Sequence, residues 1–404
     1  MNPGLTPLDE ALPRLLSELA VRTGQETVAL YAATGRVLAE DLYAPLDVPT
    51  TDNSAMDGYA ISSANLNSVP VTVAVSQRIP AGYSGEPLRA GTAARIFTGA
   101  PLPTGADAVV MQENTEQQGD SVRILKPVVA GENVRSRGED IARDSLLFRA
   151  GHRIVERDMH TLASCGIADL AVRQPLKVAV LTTGDELVRP GTLLQPGQIY
   201  NSNFYLLSAL LTRLGCQVID CGTVGDNLEV TVDSLERAAA QADCLVSSGG
   251  VSVGEEDHVK AAVQRLGRID LWKLAVKPGK PFAWGRVRGR PFFGLPGNPV
   301  SAYVTFVLLV RPALLAMLGA TPAGPLTFRL PVDFSASSGE RQEYLRVTLS
   351  GSGPKQQRLK RVDNQSSGAG SSLSRADGLA VLPPFTSVNQ GDMLEFMPFS
   401  ELTG

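Results

Sequence analysis

The chain has 404 residues, 43% of them hydrophobic and 19% charged, with a formal net charge of −4. A length of this order implies about two to four domains around ordinary globular cores, and the mildly acidic balance argues against an extended nucleic-acid surface. Four cysteines without a C-x-x-C pair and only three histidines argue against a zinc cage and a Ser-His-Asp triad.

The opening Met1–Glu10 has no basic stretch followed by an apolar run, so no secretory signal is expected and the cytoplasm is the default location. Residues 1–44 then carry helical periodicity (Leu8, Leu12, Leu15, Leu16, Leu19, later Leu30, Val37, Leu38) that stops at Pro45 and Pro49. This predicts a helix pair or an extended helical start. From 46 to 137 the period changes to two (Val71, Val73, Val75; Val109, Met111; Val122, Ile124), cut by Pro-Ala-Gly, Pro-Thr-Gly and Gln-Gly-Asp turns. That pattern is a small β domain. Residues 138–175 turn mixed again, with a helix expected near Glu156–Cys165 closed by Gly166. Returning to pack on residues 1–45, they would make 46–137 an insertion into an N-terminal helical/mixed domain.

Residues 176–320 alternate strand and helix: strand Lys177–Leu181, helix Ser202–Leu214, strand Gln217–Ile219, helix Leu228–Ala240, strand Cys244–Ser247, helix Glu255–Leu266 and strand Leu271–Val276. A hairpin from Pro281 to Phe293 turns at Arg288-Gly289 and precedes a last helix, Val300–Leu318. Such alternation predicts a mainly parallel sheet covered on both faces. Arg311 and Pro312 interrupt that last apolar stretch, which falls short of the roughly 20 residues of a membrane span. Residues 321–404 read as a C-terminal β domain with a Ser/Gly-rich loop at 366–372. The overall class is multidomain α/β plus β.

The polar motifs cluster in the α/β zone. They are Thr183-Gly184-Asp185-Glu186, Thr223-Val224-Gly225-Asp226, Ser247-Ser248-Gly249-Gly250 running on to Asp257, Lys277-Pro278-Gly279-Lys280-Pro281, and Leu295-Pro296-Gly297-Asn298-Pro299. Each follows a predicted strand, so all fall on the carboxyl edge of one sheet, where open α/β sheets bind ligands. Any one of these loops alone is equally a turn with an N-cap. Should Glu186, Asp226 and Asp257 converge, two carboxylates about 5 Å apart would repel by roughly 3 kcal/mol at an effective dielectric of about 20. A divalent cation relieves that, and Mg²⁺ prefers one or two carboxylates plus waters and phosphates. Lys273, Lys277 and Lys280 would supply charge for a phosphate or another oxyanion. Outside this zone, Asp57-Gly58 alone is a tight turn, and Arg135–Asp140 alone is a solvated charge cluster.

The run SAMDGYA (54–60), FTGAPLPTGADAVVMQE (97–113), NVRSRGEDI (133–141), TGDEL (183–187), GQIYNSN (197–203), TVGDN (223–227), SSGGVSVGEEDHV (247–259), KPGKP and LPGNPVS resembles the MoeA-type molybdopterin molybdenumtransferases, which include the C-terminal part of gephyrin-like proteins. ADGLAVLP (376–383) resembles the last domain of that family, whereas 325–365 shows little likeness. The resemblance implies an elongated homodimer with a MogA-like central α/β domain and a C-terminal β-barrel-like domain. It implies Mg²⁺-dependent insertion of molybdenum from molybdate into adenylylated molybdopterin, with release of AMP. It assigns Asp57, Thr98, Asp140, Glu186, Asp226 and Asp257 to a cleft between the α/β domain of one subunit and the β domain of the other. Glu186, Asp226 and Asp257 would then bind Mg²⁺ or position its waters by hydrogen bonds. Ser248, Gly249 and Gly250 would offer backbone donors to the nucleotide phosphates, Lys273, Lys277 and Lys280 would hold phosphate or molybdate, and Pro296 and Pro299 would shape the pterin side. Other molybdenum cofactor biosynthesis proteins are possible partners; nucleic acid and membrane are not expected. Two alternatives stand beside this reading: a molybdopterin adenylyltransferase, which the α/β zone alone would equally suit, and a non-catalytic scaffold that uses the last domain to bind a peptide or another cofactor enzyme.

Overall fold

The computed structural model describes residues 4–66, 68–250, 258–322, 324–351, 353 and 357–403. Its centre is a six-stranded sheet in the order Gln217–Val224, Lys177–Thr183, Cys244–Ser248, Arg290–Leu295, Pro281–Val287, Gly267–Lys273. The first four run parallel, while Pro281–Val287 is antiparallel to both its neighbours. Two apolar layers sandwich this sheet. Alternate residues of Lys177–Thr183 divide between them, Val178 and Val180 facing one and Ala179 and Leu181 the other. Such double burial is why these strands read as continuous apolar runs.

Helix starts follow from sequence. Asn201 accepts from the Phe204 N–H at 3.2 Å and Asn227 from the Val230 N–H at 3.1 Å, each capping the helix that follows. Arg288 and Gly289 both take positive φ, 47° and 78°, which is the geometry a two-residue hairpin requires.

Three sequence expectations fail, each for a non-local reason. No second helix forms after Leu8–Ser17; Gln25–Ala29 is a strand, antiparallel to Asp169–Arg173, with Leu30–Ala32 a single 3₁₀ turn. Val28, Leu38, Ile154, Leu162 and Val172 then share one small core, joined by the Leu42–Tyr43 and Leu146–Phe148 pairing. The Leu8–Ser17 helix packs instead on the central layer, burying Ala11 and Leu15 there, with the Arg14 guanidinium 5.2 Å from the Trp272 ring. Burying a leucine in this way contributes about 2 kcal/mol. The expected strand Leu271–Val276 is split: Gly267–Lys273 closes the central sheet, and Val276–Lys277 pairs in parallel with Gln342–Glu343 of the C-terminal sheet. Finally, the apolar helix is not interrupted at Arg311 and Pro312. A π-stretch, Phe306–Val310, absorbs the ring and the missing N–H of Pro312. Pro299–Met317 is thereby 19 residues long and apolar enough by composition to cross a membrane, yet 78% of its most apolar stretch is buried in protein, as in a core helix.

Residues 58–124 form a separate six-stranded sheet in the order Ala108–Met111, Gly58–Ile61, Thr92–Ile96, Val71–Ile79, Ser121–Ile124, Thr115–Gln118. The C-terminal sheet is built on Gln342–Ser350, Gly378–Leu382, Met393–Pro398 and Phe328–Pro331. All four cysteines are free, and Cys165, Cys216 and Cys244 are buried.

Candidate active site

At the carboxyl edge of the central sheet lies a cleft of about 640 Å³, lined by Thr182, Thr183, Glu186, Tyr200, Asn201, Asn203, Ser248, Gly250, Pro296, Asn298 and Pro299, with Gly368 entering from the C-terminal segment. Parallel pairing of Leu187–Val188 with Ile199–Tyr200 sets one wall, and the Ile199 N–H donates to the Glu186 carbonyl at 2.8 Å. Asparagine amides set the other. Asn203 Nδ2 donates to Ser248 Oγ at 2.8 Å and to the Gly297 carbonyl at 2.7 Å, while Ser248 Oγ donates to the Pro296 carbonyl at 3.2 Å. These bonds tie the Ser-Ser-Gly-Gly loop to the Leu-Pro-Gly-Asn loop. Asn201 Nδ2 donates to Thr182 Oγ1 at 2.7 Å, fixing the strand end.

A second hollow of about 440 Å³ adjoins the cleft and shares Pro281, Pro296 and Asn298 with it. Lys277, Lys280, Arg341 and Arg346 line it against the one carboxylate Glu343, together with Ser366 and Ser367. Lys277 Nζ pairs with Glu343 at 2.9 Å. Arg346 is 1% exposed and, among the described residues, donates to neutral oxygens only: Ser372 Oγ at 3.1 Å and the carbonyls of Asn364 and Ser366 at 3.1 and 3.0 Å. Burial pulls its pKa down to about 10, so it remains a cation at neutral pH. A buried, uncompensated guanidinium beside further cations is a site for an oxyanion.

Of the sequence candidates, Glu186, Ser248, Gly250, Pro296 and Pro299 line the cleft, and Lys277 and Lys280 line the cationic hollow. Lys273 lines neither; it is exposed at its strand end, where its carbonyl accepts the Thr6 N–H. Gly249 is not a free backbone donor, because its N–H is spent on the Leu295 carbonyl at 3.0 Å. The glycine pair is required by the protein itself. A Cβ on Gly249 would stand 2.7 Å from Thr183 Oγ1, and one on Gly250 would stand 2.3 Å from Val259 Cγ2.

Asp226 does not line the cleft. Its N–H donates to Asp185 Oδ1 at 3.1 Å, so Asp185, which the sequence reading passed over, stitches the two acidic loops together and leaves the Asp226 side chain exposed. Asp257 lies outside the described residues, and among those described no group of three or more His, Cys, Asp or Glu is placed to hold a metal. Asp57, Thr98 and Asp140 line neither hollow: the Asp140 N–H donates to the Val48 carbonyl at 3.0 Å, and Asp57 and Thr98 flank strands of the separate β sheet. There the Thr98 N–H and hydroxyl donate to Asp57 Oδ1 at 2.8 and 2.9 Å. Those two bonds, with a smaller contribution from the Arg95 charge, hold the Asp57 carboxyl below the usual carboxylate range.

Known proteins share this arrangement over nearly the whole chain. Residues 6–166 match the family description "MoeA N-terminal region (domain I and II)", 179–316 match "Probable molybdopterin binding domain", and 327–399 match "MoeA C-terminal region (domain IV)". The chain belongs to the MoeA family. Within that family, the molybdopterin molybdenumtransferase of Haemophilus influenzae is 41% identical over 334 residues, covering 81% of this chain and 80% of that protein. The one from Nostoc sp. is 37% identical, covering 91% and 87%. The crystal structure of the molybdopterin biosynthesis MoeA protein from Pyrococcus horikoshii OT3 superimposes with a TM-score of 0.84 at 27% identity, over 98% of this chain and all of that one. The central α/β unit, the separate β sheet and the C-terminal sheet are thus MoeA architecture.

Residues that sequence reasoning missed carry much of the site. Asn201 and Asn203 entered only within the motif GQIYNSN, with no role assigned to either. Arg346 left no signal, because it sits mid-strand in Gln342–Ser350 among alternating residues.

Proposed function

We propose that this chain is a molybdopterin molybdenumtransferase. It binds adenylylated molybdopterin, transfers molybdenum from molybdate to the dithiolene sulfurs, and releases AMP in a Mg²⁺-dependent hydrolysis. The observation that carries this reading is the abutment of two hollows with different chemistry on one edge of the sheet. One is a cleft of mixed polar and apolar lining, about 640 Å³ in volume, which suits a nucleotide-sized ligand. The other is a compact cationic pocket whose buried Arg346 has no counter-ion within hydrogen-bonding range among the described residues.

In the cleft, Asn298 faces the substrate from a loop that Asn203 and Ser248 hold in place, while Ile199 and Tyr200 offer an apolar lip for a planar ring system. In the pocket, Lys280, Arg341 and Arg346 hold the molybdate oxyanion next to the shared prolines. Mg²⁺ needs only one or two protein carboxylates and keeps several waters, and Glu186 in the cleft meets that need. Bound there, the ion would neutralise charge on the phosphate oxygens.

The same reading makes the chain a cytoplasmic homodimer in which Asp57, Thr98 and Asp140 of the partner subunit complete the cleft. Thr98 occupies Asp57 Oδ1, so Oδ2 is the atom that accepts from substrate or water. Purified chain given adenylylated molybdopterin, Mg²⁺ and molybdate should release AMP, and removal of Mg²⁺ should stop it. Asp57→Ala and Glu186→Gln should each be inactive as folded dimers. Co-assembled, they should regain about one quarter of the parental activity, since half the dimers are mixed and each mixed dimer has one intact cleft. No recovery in the mixture refutes the shared cleft, and no AMP release by the parent refutes the activity.

A further inference from the structure

The β unit carries a pair of cations to which neither hollow gives a role. Arg78 and Arg95 are direct register partners in the parallel strands Val71–Ile79 and Thr92–Ile96, and Tyr59 partners Arg95 on its other side. The three side chains therefore project in a row from one face of the sheet. Both guanidinium carbons lie 4.6 Å from the centre of the Phe97 ring, and that of Arg95 lies 5.2 Å from the Tyr59 ring. Like charges placed side by side repel, and aromatic faces offset only part of that.

Arg95 is held in plane from behind. Its Nη1 donates to the Gly58 carbonyl at 3.1 Å and its Nη2 to Gln112 Oε1 at 2.7 Å. Both acceptors are neutral, so they fix the fork without cancelling its charge. Arg78 is exposed, and among the described residues no carboxylate pairs with it. The position of the pair is informative. Phe97 is followed directly by Thr98, and Gly58 is preceded directly by Asp57, so the cations stand at the sheet end from which the Asp57–Thr98 unit projects.

We propose that Arg78 and Arg95, stacked on Phe97, form an oxyanion-docking site that takes the phosphoanhydride of the nucleotide substrate. Two planar guanidiniums side by side present N–H groups to several phosphate oxygens at once, and the aromatic ring keeps them close together when no anion is bound. The identity of the substrate rests on the proposed function; the oxyanion site does not. Molybdate, also a tetrahedral oxyanion, is the competing ligand.

Phenylglyoxal modification of the intact chain, mapped by mass spectrometry, reads each arginine without turnover. Pyrophosphate, molybdate and sulfate are compared at matched ionic strength, with exposed Arg123, paired to Glu116, as the internal reference. Pyrophosphate at a few times its Kd should slow Arg78 modification about fivefold by single-site occupancy, leaving Arg123 unchanged. Molybdate and sulfate should protect less than about twofold under the same occupancy arithmetic. Equal protection by molybdate or sulfate overturns the phosphoanhydride assignment, and absence of protection by pyrophosphate overturns the site. In turnover, Arg78→Ala should raise KM for the adenylylated substrate about tenfold with kcat nearly unchanged, and Arg78→Lys should recover part of it. An unchanged KM overturns the link to substrate. Protection of Arg78 in a chain that releases no AMP refutes the proposed function alone.

Discussion

Gly250→Ala tests whether the cleft is shaped by protein packing. At φ 65° an alanine enters the left-handed region, which costs about 1–2 kcal/mol. Its Cβ would stand 2.3 Å from Val259 Cγ2, 3.0 Å from Val259 Cβ and 3.1 Å from Thr183 Oγ1. Val259 is 2% exposed and β-branched on a helix, so it has little freedom to turn away. Overpacking of this kind adds about 1–3 kcal/mol, for a total near 2–5 kcal/mol. Gly297→Ala, across the same cleft, is the control. Its Cβ would meet only Gly249 Cα at 3.8 Å, and it has no positive φ, so the change should fall within about 1 kcal/mol of the parent.

The assay follows from where the tryptophans lie. The chain has two, Trp272 and Trp284, and both are buried in the central core. Tryptophan fluorescence in urea therefore follows the central unit alone, which matters because a multidomain chain need not unfold in one step. Gly250→Ala should lower the midpoint sharply while Gly297→Ala leaves it nearly in place. Equal midpoints for the two variants, or a Gly250→Ala shift below about 0.5 kcal/mol, would refute the steric reasoning.

Asn203→Ala removes two hydrogen bonds that tie the cleft loops and should cost about 1–3 kcal/mol in the same fluorescence transition, with a raised KM for substrate. Thr98→Ala keeps the backbone donor to Asp57 but loses the hydroxyl, so the carboxyl rises part of the way towards its ordinary value. A depressed carboxylate is lost as pH falls through its folded pKa; raising that pKa should move the acid limb of the pH–rate profile upward. Arg346→Met removes a buried cation without emptying its volume. Calorimetry should show molybdate binding weakened at least about tenfold, while the fold is retained.

Sequence legibility divides along the local and the non-local. Asn201 and Asn227 announced their helices because a cap is settled within three residues. Arg288-Gly289 announced its hairpin for the same reason. Gln25–Ala29 did not read as a strand, because its partner, Asp169–Arg173, lies far along the chain and nothing in the segment names it. The gathering of glycine loops at one sheet edge was legible, since strand direction alone dictates it. Glu186 was named for the cleft and lines it, whereas the part played by its neighbour Asp185 was not legible, because only a tertiary contact, the bond from the Asp226 N–H, reveals it.

The split strand explains why the cations and the cleft meet. Val276–Lys277 belongs to the C-terminal sheet, and Pro281 onward belongs to the central one, so Lys277-Pro278-Gly279-Lys280-Pro281 is the crossing between them. Gly279 makes that crossing at φ 111°, so close to the long apolar helix that a Cβ would stand 2.7 Å from Thr305 Cγ2. Lys277 is thereby fixed to Glu343 on the C-terminal sheet, whose buried Arg346 is three residues further on. Glu186 follows the central-sheet strand Lys177–Thr183 by three residues, and its carbonyl is held by the Ile199 N–H. A shift of one sheet relative to the other would therefore change the distance between the cationic pocket and the carboxylate, across the shared Pro281, Pro296 and Asn298. Under the proposed function, seating of the C-terminal sheet governs molybdate delivery, and substitutions at that seam should alter turnover even where they touch neither ligand.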